Sequence, residues 1–245
     1  MNITGAIKDL FRFKEFSMFH GLSSMKIGVD GVLIGAWGEV TGRRGIDIGC
    51  GCGVVGLMAA QRNKQCHLEM IDIHEASVKE ALLNIEMSSW KDRVKVFCAD
   101  AWEFSFQEEN RDQYDFIISN PPFFQAGVKK PMTAREKSRH GSALSPHSLI
   151  DIASRILKPG GKLSMITSCD YSYLLSLKPE KLVIERICRV SDRAEKNCKR
   201  LMLTYRKGAD ENTGNPEEEI LYIRNAEGAY SDEYRKLTGD FYLAF

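Results

Sequence analysis

The chain has 245 residues, of which 43% are hydrophobic and 27% charged, with a formal net charge of +1. That is enough to bury a core on both faces of a sheet, and it fits one α/β domain with small additions at each end. No apolar run approaches a membrane span and the N-terminus lacks a signal-peptide layout, so a cytoplasmic location is expected. The seven cysteines are an odd number without paired spacing and read as reduced thiols. Cys50-Gly51-Cys52 is too tight for a zinc knuckle, and no Cys/His cluster argues for a metal.

In chain order, an N-terminal segment runs to about residue 44. Apolar strands are predicted near 45–49, 67–73, 93–98 and 114–119, with helices over 53–62, 75–88 and 101–109 between them. A loop follows from 120 to 143. Ser145-Pro146 then caps a helix with Leu149, Ile150, Ile152, Ala153, Ile156 and Leu157 on its apolar face, and Lys158-Pro159-Gly160-Gly161 is its stop signal. A fifth strand is predicted over Lys162–Thr167, then a short helix near 170–177 and strands near 181–190 and 199–206. The last two have no helix between them and imply an antiparallel edge. Ala209–Glu219 reads as a polar surface loop. The alternation predicts an α/β fold: a doubly wound, mostly parallel, seven-stranded sheet with an antiparallel C-terminal edge and a small N-terminal extension. The expected division of this single domain is an extension over 1–44, a core sheet over 45–207, and a closing loop and segment over 208–245.

Gly45–Ala60 reads as strand, glycine turn and helix. Gly49, Gly51 and Gly53 permit positive φ and close approach of a ligand, and the helix start offers free N–H groups. Gly51–Gly56 satisfies the dinucleotide pattern G-x-G-x-x-G, and Asp72 closes the next apolar run where a ribose-binding acid belongs. At this point NAD and S-adenosylmethionine both fit. Three details favour the latter. Asp47, just before the first glycine, would repel a pyrophosphate but suits a cationic methionine end. Asp100, with Ala101 after it, ends the third run within reach of an adenine amino group. Asn120-Pro121-Pro122-Phe123 ends the fourth. Two prolines forbid a helix start and stiffen the loop, fixing the Asn120 amide oxygen and the Pro121 carbonyl as convergent acceptors beside a ring. Such a pair suits a flat substrate carrying an amino group.

With these motifs, and with Phe13-Lys14-Glu15-Phe16, the segment Met25–Trp37 and the closing Leu237–Leu243, the sequence resembles the class I, Rossmann-like S-adenosylmethionine-dependent methyltransferases that act on amino nitrogens. Within them it resembles the bacterial tRNA1(Val) adenine-37 N6-methyltransferases. The resemblance implies S-adenosylmethionine as cofactor, S-adenosylhomocysteine as product and a tRNA as substrate. It also implies Lys26 and Asp30 as positions lining the cofactor pocket. The glycine loop departs from the pattern in carrying Cys50 and Cys52.

Charge distribution bears on the substrate more than the total does. Lys129, Lys130, Arg135, Lys137 and Arg139 follow the Asn-Pro-Pro loop, where phosphates flanking a target base would pass. Arg186, Arg189, Arg193, Lys196, Lys199 and Arg200 form a second basic stretch, and Lys8, Arg12 and Lys14 a third patch. Other readings remain at this stage: a ribosomal RNA guanine-N2 methyltransferase, a protein glutamine methyltransferase, or a non-enzymatic protein that binds S-adenosylmethionine and RNA. A DNA methyltransferase would need a target-recognition domain, and an NAD oxidoreductase a second catalytic domain. Oligomeric state is open, with a monomer favoured.

Overall fold

The computed structural model describes residues 10–21, 27–122, 144–177, 179, 181–208 and 215–245. A small antiparallel hairpin, β1 (Leu10–Arg12) and β2 (Ser17–Phe19), precedes the helix α1 (Val29–Trp37). There follow β3 (Arg44–Ile48), α2 (Val54–Arg62), β4 (His67–Asp72), α3 (Glu75–Met87), β5 (Val94–Cys98), α4 (Ala101–Ser105) and β6 (Tyr114–Ser119). After these come α5 (Pro146–Ile156), β7 (Leu157–Ser168), a 3₁₀ segment (Cys169–Ser176), β8 (Leu182–Ser191), β9 (Arg200–Lys207), β10 (Glu217–Tyr222) and α6 (Asp232–Thr238).

The strands from β3 onward form one sheet in the order β10-β8-β9-β7-β6-β3-β4-β5. β3 to β7 run parallel, β9 lies antiparallel between β7 and β8, and β10 pairs parallel with β8. The chain lays β4 and β5 on one side of β3, then crosses to place β6 on the other. The carboxyl ends of β3 and β6 therefore flank the topological switch point, where open α/β sheets bind ligands.

Each face of the sheet carries its own apolar core. One holds Val32, Leu33 and Ile34 of α1, Leu57 and Met58 of α2, Phe116 and Ile118 of β6, and Phe241 near the C-terminus. The other packs Leu149, Ile152 and Ile156 of α5 against Ile46, Ile48, Ile117 and Leu163. Ser145 caps α5 as expected: its hydroxyl accepts from the Ser148 N–H, and the Ser148 side chain answers to the Ser145 N–H. The N-terminal hairpin docks through Asn84 of α3. The Asn84 amide donates to the carbonyls of Phe19 (2.9 Å) and Cys52 (2.8 Å) and accepts from the Phe19 N–H (2.7 Å). The C-terminus closes on the same hairpin, where Lys14 donates to the carbonyls of Gly239 and Phe245 and Phe13 bridges to Tyr242. Lys14 thus holds the C-terminal turn.

Three expectations are corrected. Among the described residues the sheet has eight strands, because Glu217–Tyr222 forms β10 where a surface loop was expected through Glu219. Its three glutamates find cross-strand partners: Arg186 of β8 meets Glu217 and Glu219, and Arg189 meets Glu218. Exposed pairs of this kind contribute little stability each, but they set register and partner. Next, β7 starts at Leu157, so the Lys158–Gly161 turn is taken into an irregular strand entry, with Gly160 at φ +81°. Finally, Cys169 and Cys198 are disulfide-bonded, with Cα atoms 6.2 Å apart and a sequence separation of 29. The β7–β9 pairing brings them together, since the Cys169 N–H donates to the Lys199 carbonyl. Cys50, Cys52, Cys66, Cys98 and Cys188 are free thiols. Among the described residues no helix is long and apolar enough to cross a membrane.

Candidate functional site

The site is built at the carboxyl edge of β3, β4, β5 and β6. The β3–α2 turn carries Gly49, Gly51 and Gly53 at φ of +71°, +55° and +88°. An L side chain resists this left-handed conformation, so the glycines are required by the turn itself. The Gly49 and Cys50 N–H groups donate to the Ile71 carbonyl (2.8 and 3.0 Å), and the Gly51 N–H donates to the Asp72 carboxylate (2.9 Å). The loop is laced to the end of β4, and a Cβ placed on Gly51 would face open space.

Asp47 lies beneath this loop, fully buried. Its Oδ2 accepts from the Gly56 N–H of α2 (2.8 Å), a contact that fits the positive end of a helix. That approach needs Gly56, since a Cβ there would strike Met70. Oδ1 of Asp47 is also buried and has no hydrogen-bond partner among the described residues. Burial pushes the carboxyl up to about 8; the Gly56 N–H opposes this and the nearby Asp72 adds to it. A buried carboxyl with one oxygen unsatisfied is a receptor for a donor or a cation. Cys50 and Cys52 flank it, and burial raises both thiols, Cys52 to about 12, so both stay neutral and poorly nucleophilic.

Asp72 ends β4 and accepts from Gly51 on one oxygen and from the His74 N–H (2.9 Å) on the other. Asp100 ends the β5 connection as the cap of α4, accepting from the Trp102 and Glu103 N–H groups (2.7 and 3.2 Å), and Ala101 opens that helix. At the end of β6, Ser119 is buried and donates to the Ile48 carbonyl (2.6 Å), which ties the strand carrying Asn120 to the start of the glycine turn. Asn120 and Pro122 are half-buried and Pro121 is buried.

The structure therefore gathers Asp47, Gly49, Gly51, Gly53, Asp72, Asp100, Ala101, Asn120, Pro121 and Pro122 along one edge. Asp30 lies in the first turn of α1. Its carboxylate pairs with Arg200, and it lines a cleft with Ser168, Cys169 and Lys199 in which no glycine-loop residue takes part. Lys26, Phe123, Lys129, Lys130, Arg135, Lys137 and Arg139 lie outside the described residues.

Three contributors escaped the sequence reading. Gly31 of α1 faces Asn120, whose Nδ2 would lie 3.8 Å from a Cβ placed there. Ile73 follows Asp72 and is 49% exposed, an apolar surface at the edge where a flat ring would rest. Asn84 fixes the carbonyl of Cys52 inside the glycine turn. An apolar residue directly after the acidic strand end was a usable signal for Ile73. Gly31 and Asn84 gave none, because their partners are distant in sequence.

A glycine turn over a buried acid, with an Asn-Pro-Pro loop on the adjacent parallel strand, is a methyltransferase arrangement. The family model of the methyltransferase small domain matches residues 31–182, and the chain belongs to that family. Within it, the chain belongs to the tRNA1(Val) (adenine(37)-N6)-methyltransferases. It is 33% identical over 243 residues to that enzyme of Yersinia pestis (strain Pestoides F), covering 96% of this chain and 94% of the relative. With that of Aeromonas hydrophila it shares 33% identity over 237 residues, covering 95% of this chain and 97% of the relative. The fold is similar to a predicted O-methyltransferase from Agrobacterium tumefaciens, with a TM-score of 0.66 and 17% identity over 86% of this chain and 96% of the other.

Proposed function

We propose that the protein is a cytoplasmic methyltransferase that uses S-adenosylmethionine to methylate N6 of adenosine 37 in the anticodon loop of a tRNA(Val), with S-adenosylhomocysteine as the other product. One observation carries the reading. Asn120 is held, through Ser119 and Ile48, at the switch point beside a glycine turn whose buried acid has an unsatisfied oxygen. The names of the relatives support the choice of adenosine and tRNA.

The residues present fit the cofactor. Asp47 Oδ1 and the Gly49–Gly53 backbone suit a cationic amino-acid end, Asp72 the ribose hydroxyls, and Asp100 with Ala101 and the exposed Ile73 a purine. When bound, S-adenosylmethionine supplies an electrophilic methyl group on a sulfonium. The protein's part is to make a poor nucleophile competent. An adenine amino nitrogen delocalises its lone pair into the ring. The Asn120 side-chain oxygen and the Pro121 carbonyl accept its two hydrogens, draw it toward a tetrahedral shape and free that lone pair. The amino proton becomes acidic only once nitrogen carries the methyl, so no strong base is needed before transfer. Phe123 follows in sequence and offers a ring for stacking on an adenine taken out of its loop. Lys129, Lys130, Arg135, Lys137 and Arg139 serve the flanking phosphates.

Asp72→Ala is expected to weaken S-adenosylmethionine binding by about ten- to a hundredfold, the effect of removing charge-assisted hydrogen bonds worth roughly 1.5–3 kcal/mol. Calorimetric titration checks it, with NAD titrated beside it into the wild type. NAD binding without S-adenosylmethionine binding would refute the cofactor assignment. Incubation with methyl-labelled S-adenosylmethionine and separate pools of tRNA, ribosomal RNA, DNA and protein tests the substrate class. Label is expected in tRNA, and label confined to another pool would refute the reading.

A further inference from the structure

The basic stretch 186–200 divides into two halves with different surroundings. Arg186 and Arg189 stand within β8 and are consumed by ion pairs with Glu39, Glu217, Glu218 and Glu219. The second half lies at the end of the sheet that carries Asn120. β7 runs parallel to β6 with Met165 opposite Ser119, so Ser168 ends at the same edge as Asn120, two residues beyond its level. β9 runs the other way and begins at that end with Arg200, while β8 and β10 finish there at Ser191 and Tyr222.

Two clefts open along this rim. The inner one, of about 440 Å³, is lined by Asp30, Cys169, Asp170, Cys198, Lys199 and Arg200, and the Cys169–Cys198 disulfide joins its two sides. The outer one, of about 260 Å³, includes Arg193, Tyr222, Arg224 and Asn225. Adjacent strands are about 4.8 Å apart, so Arg200 lies about 10 Å along the edge from the strand bearing Asn120, and the end of β10 about 20 Å.

The acids on the rim are largely engaged. Asp30 pairs with Arg200, Asp192 with Lys196, and Asp170 accepts from the Ser168 hydroxyl (2.9 Å). Glu195 and Glu233 border the outer cleft. Among the described residues Lys199 and Arg193 have no ion pair, and Lys199 is exposed. The Arg193 guanidinium lies against Gly228, and its Nε is buried with no hydrogen-bond partner among the described residues. Arg224 donates to the Gly228 carbonyl (2.7 Å) and stands over the Tyr230 ring. Cations oriented by neighbours yet left without a carboxylate are suited to phosphates.

We propose that this rim, from β7 across β9 and β8 to β10, is a second RNA-backbone contact in which Lys199, Arg193 and Arg224 hold phosphates of the strand that carries the target adenosine. It lies on a different part of the chain from residues 129–139. The proposal rests on the tRNA reading above.

The test is tRNA binding by wild type, the double variant Lys199→Ala/Arg193→Ala and the single variant Lys199→Glu, measured across a salt series. Calorimetric titration of S-adenosylmethionine and a thermal melt accompany each protein. The double variant is expected to bind tRNA at least about tenfold more weakly, with the slope of log affinity against log salt reduced by about 1.4–1.8, or 0.7–0.9 per lost phosphate. Cofactor affinity should be unchanged. Lys199→Glu, a change at an exposed side chain, should lose about tenfold, and it decides the matter if the double variant melts early. Unchanged affinity and slope in variants that fold, while wild type binds tRNA, would overturn this proposal alone. Failure of wild type to bind tRNA while it binds an acidic protein instead would overturn both this proposal and the tRNA reading.

Discussion

Asn120→Ala is expected to lower the rate of methyl transfer at least about a hundredfold while leaving S-adenosylmethionine affinity within about twofold. The magnitude is that of removing one preorganised polar group from the reacting centre. The specificity of the effect follows from position. Asn120 stands at the end of β6, whereas the loop and acids suited to the cofactor stand at the ends of β3, β4 and β5. The fold should survive, because Ser119 and the buried Pro121 on either side keep their contacts. Single-turnover kinetics with saturating tRNA isolates the chemical step. A variant rate equal to wild type would show that the Asn120 amide does not polarise the amino group.

The second large effect concerns Asp47. Burial raises its carboxyl to about 8 in the cofactor-free protein, against about 3.9 in an unfolded chain. Between those values the native state holds a proton that the unfolded state has released. Stability from this group is therefore greatest at low pH and is lost as pH rises from about 4 to about 8. A cation bound against Oδ1 favours the charged form, so binding expels the proton. The ratio of S-adenosylmethionine affinity in wild type to that in Asp47→Asn is expected to rise about tenfold per pH unit up to about pH 8 and then level off. Taking the ratio cancels the titration of the cofactor's own amine. Without cofactor at pH 9, Asp47→Asn should melt above wild type, since the amide carries no buried charge. Calorimetry between pH 6 and 9 measures the first, and thermal melts the second. A ratio independent of pH would mean that Asp47 does not meet the positive end of the cofactor.

Much of the site was legible because it depends on local chemistry. Two prolines after an apolar strand dictate a stiff loop whatever surrounds it, and alternating glycines announce positive φ, which Gly49, Gly51 and Gly53 show. Acids at strand ends are visible in sequence because the parallel fold places all those ends together. What was not legible depends on partners far along the chain. β10 looked like loop because Glu217, Glu218 and Glu219 have no apolar alternation; Arg186 and Arg189 make it a strand. Cys169 and Cys198 become neighbours only through the β7–β9 pairing. The same pairing starts β9 at Arg200 beside Asp30 of α1, so Asp30 meets a cation that is distant in sequence. Asn84 is a polar residue in a buried position, and its partners, Phe19 of the hairpin and Cys52 of the glycine turn, are both distant in sequence.

These placements divide the edge of the sheet by task. In the proposed reading, the turn after β3 and the ends of β4 and β5 offer acids to a small cofactor. In the same reading the end of β6 offers acceptors to an amino group, while the ends of β7 to β10 carry Lys199, Arg193 and Arg224. A base inserted at Asn120 would thus have its flanking strand running toward the cationic side, away from Asp47 and Asp72.

The most direct test of this account is the identity of the methylated nucleoside. A tRNA(Val) transcript is incubated with the protein and methyl-labelled S-adenosylmethionine, digested to nucleosides and resolved by mass spectrometry, beside a transcript with guanosine in place of adenosine 37. The account predicts N6-methyladenosine from the first transcript and no methylated nucleoside from the second. Methylguanosine, or equal N6-methyladenosine from both, would contradict it.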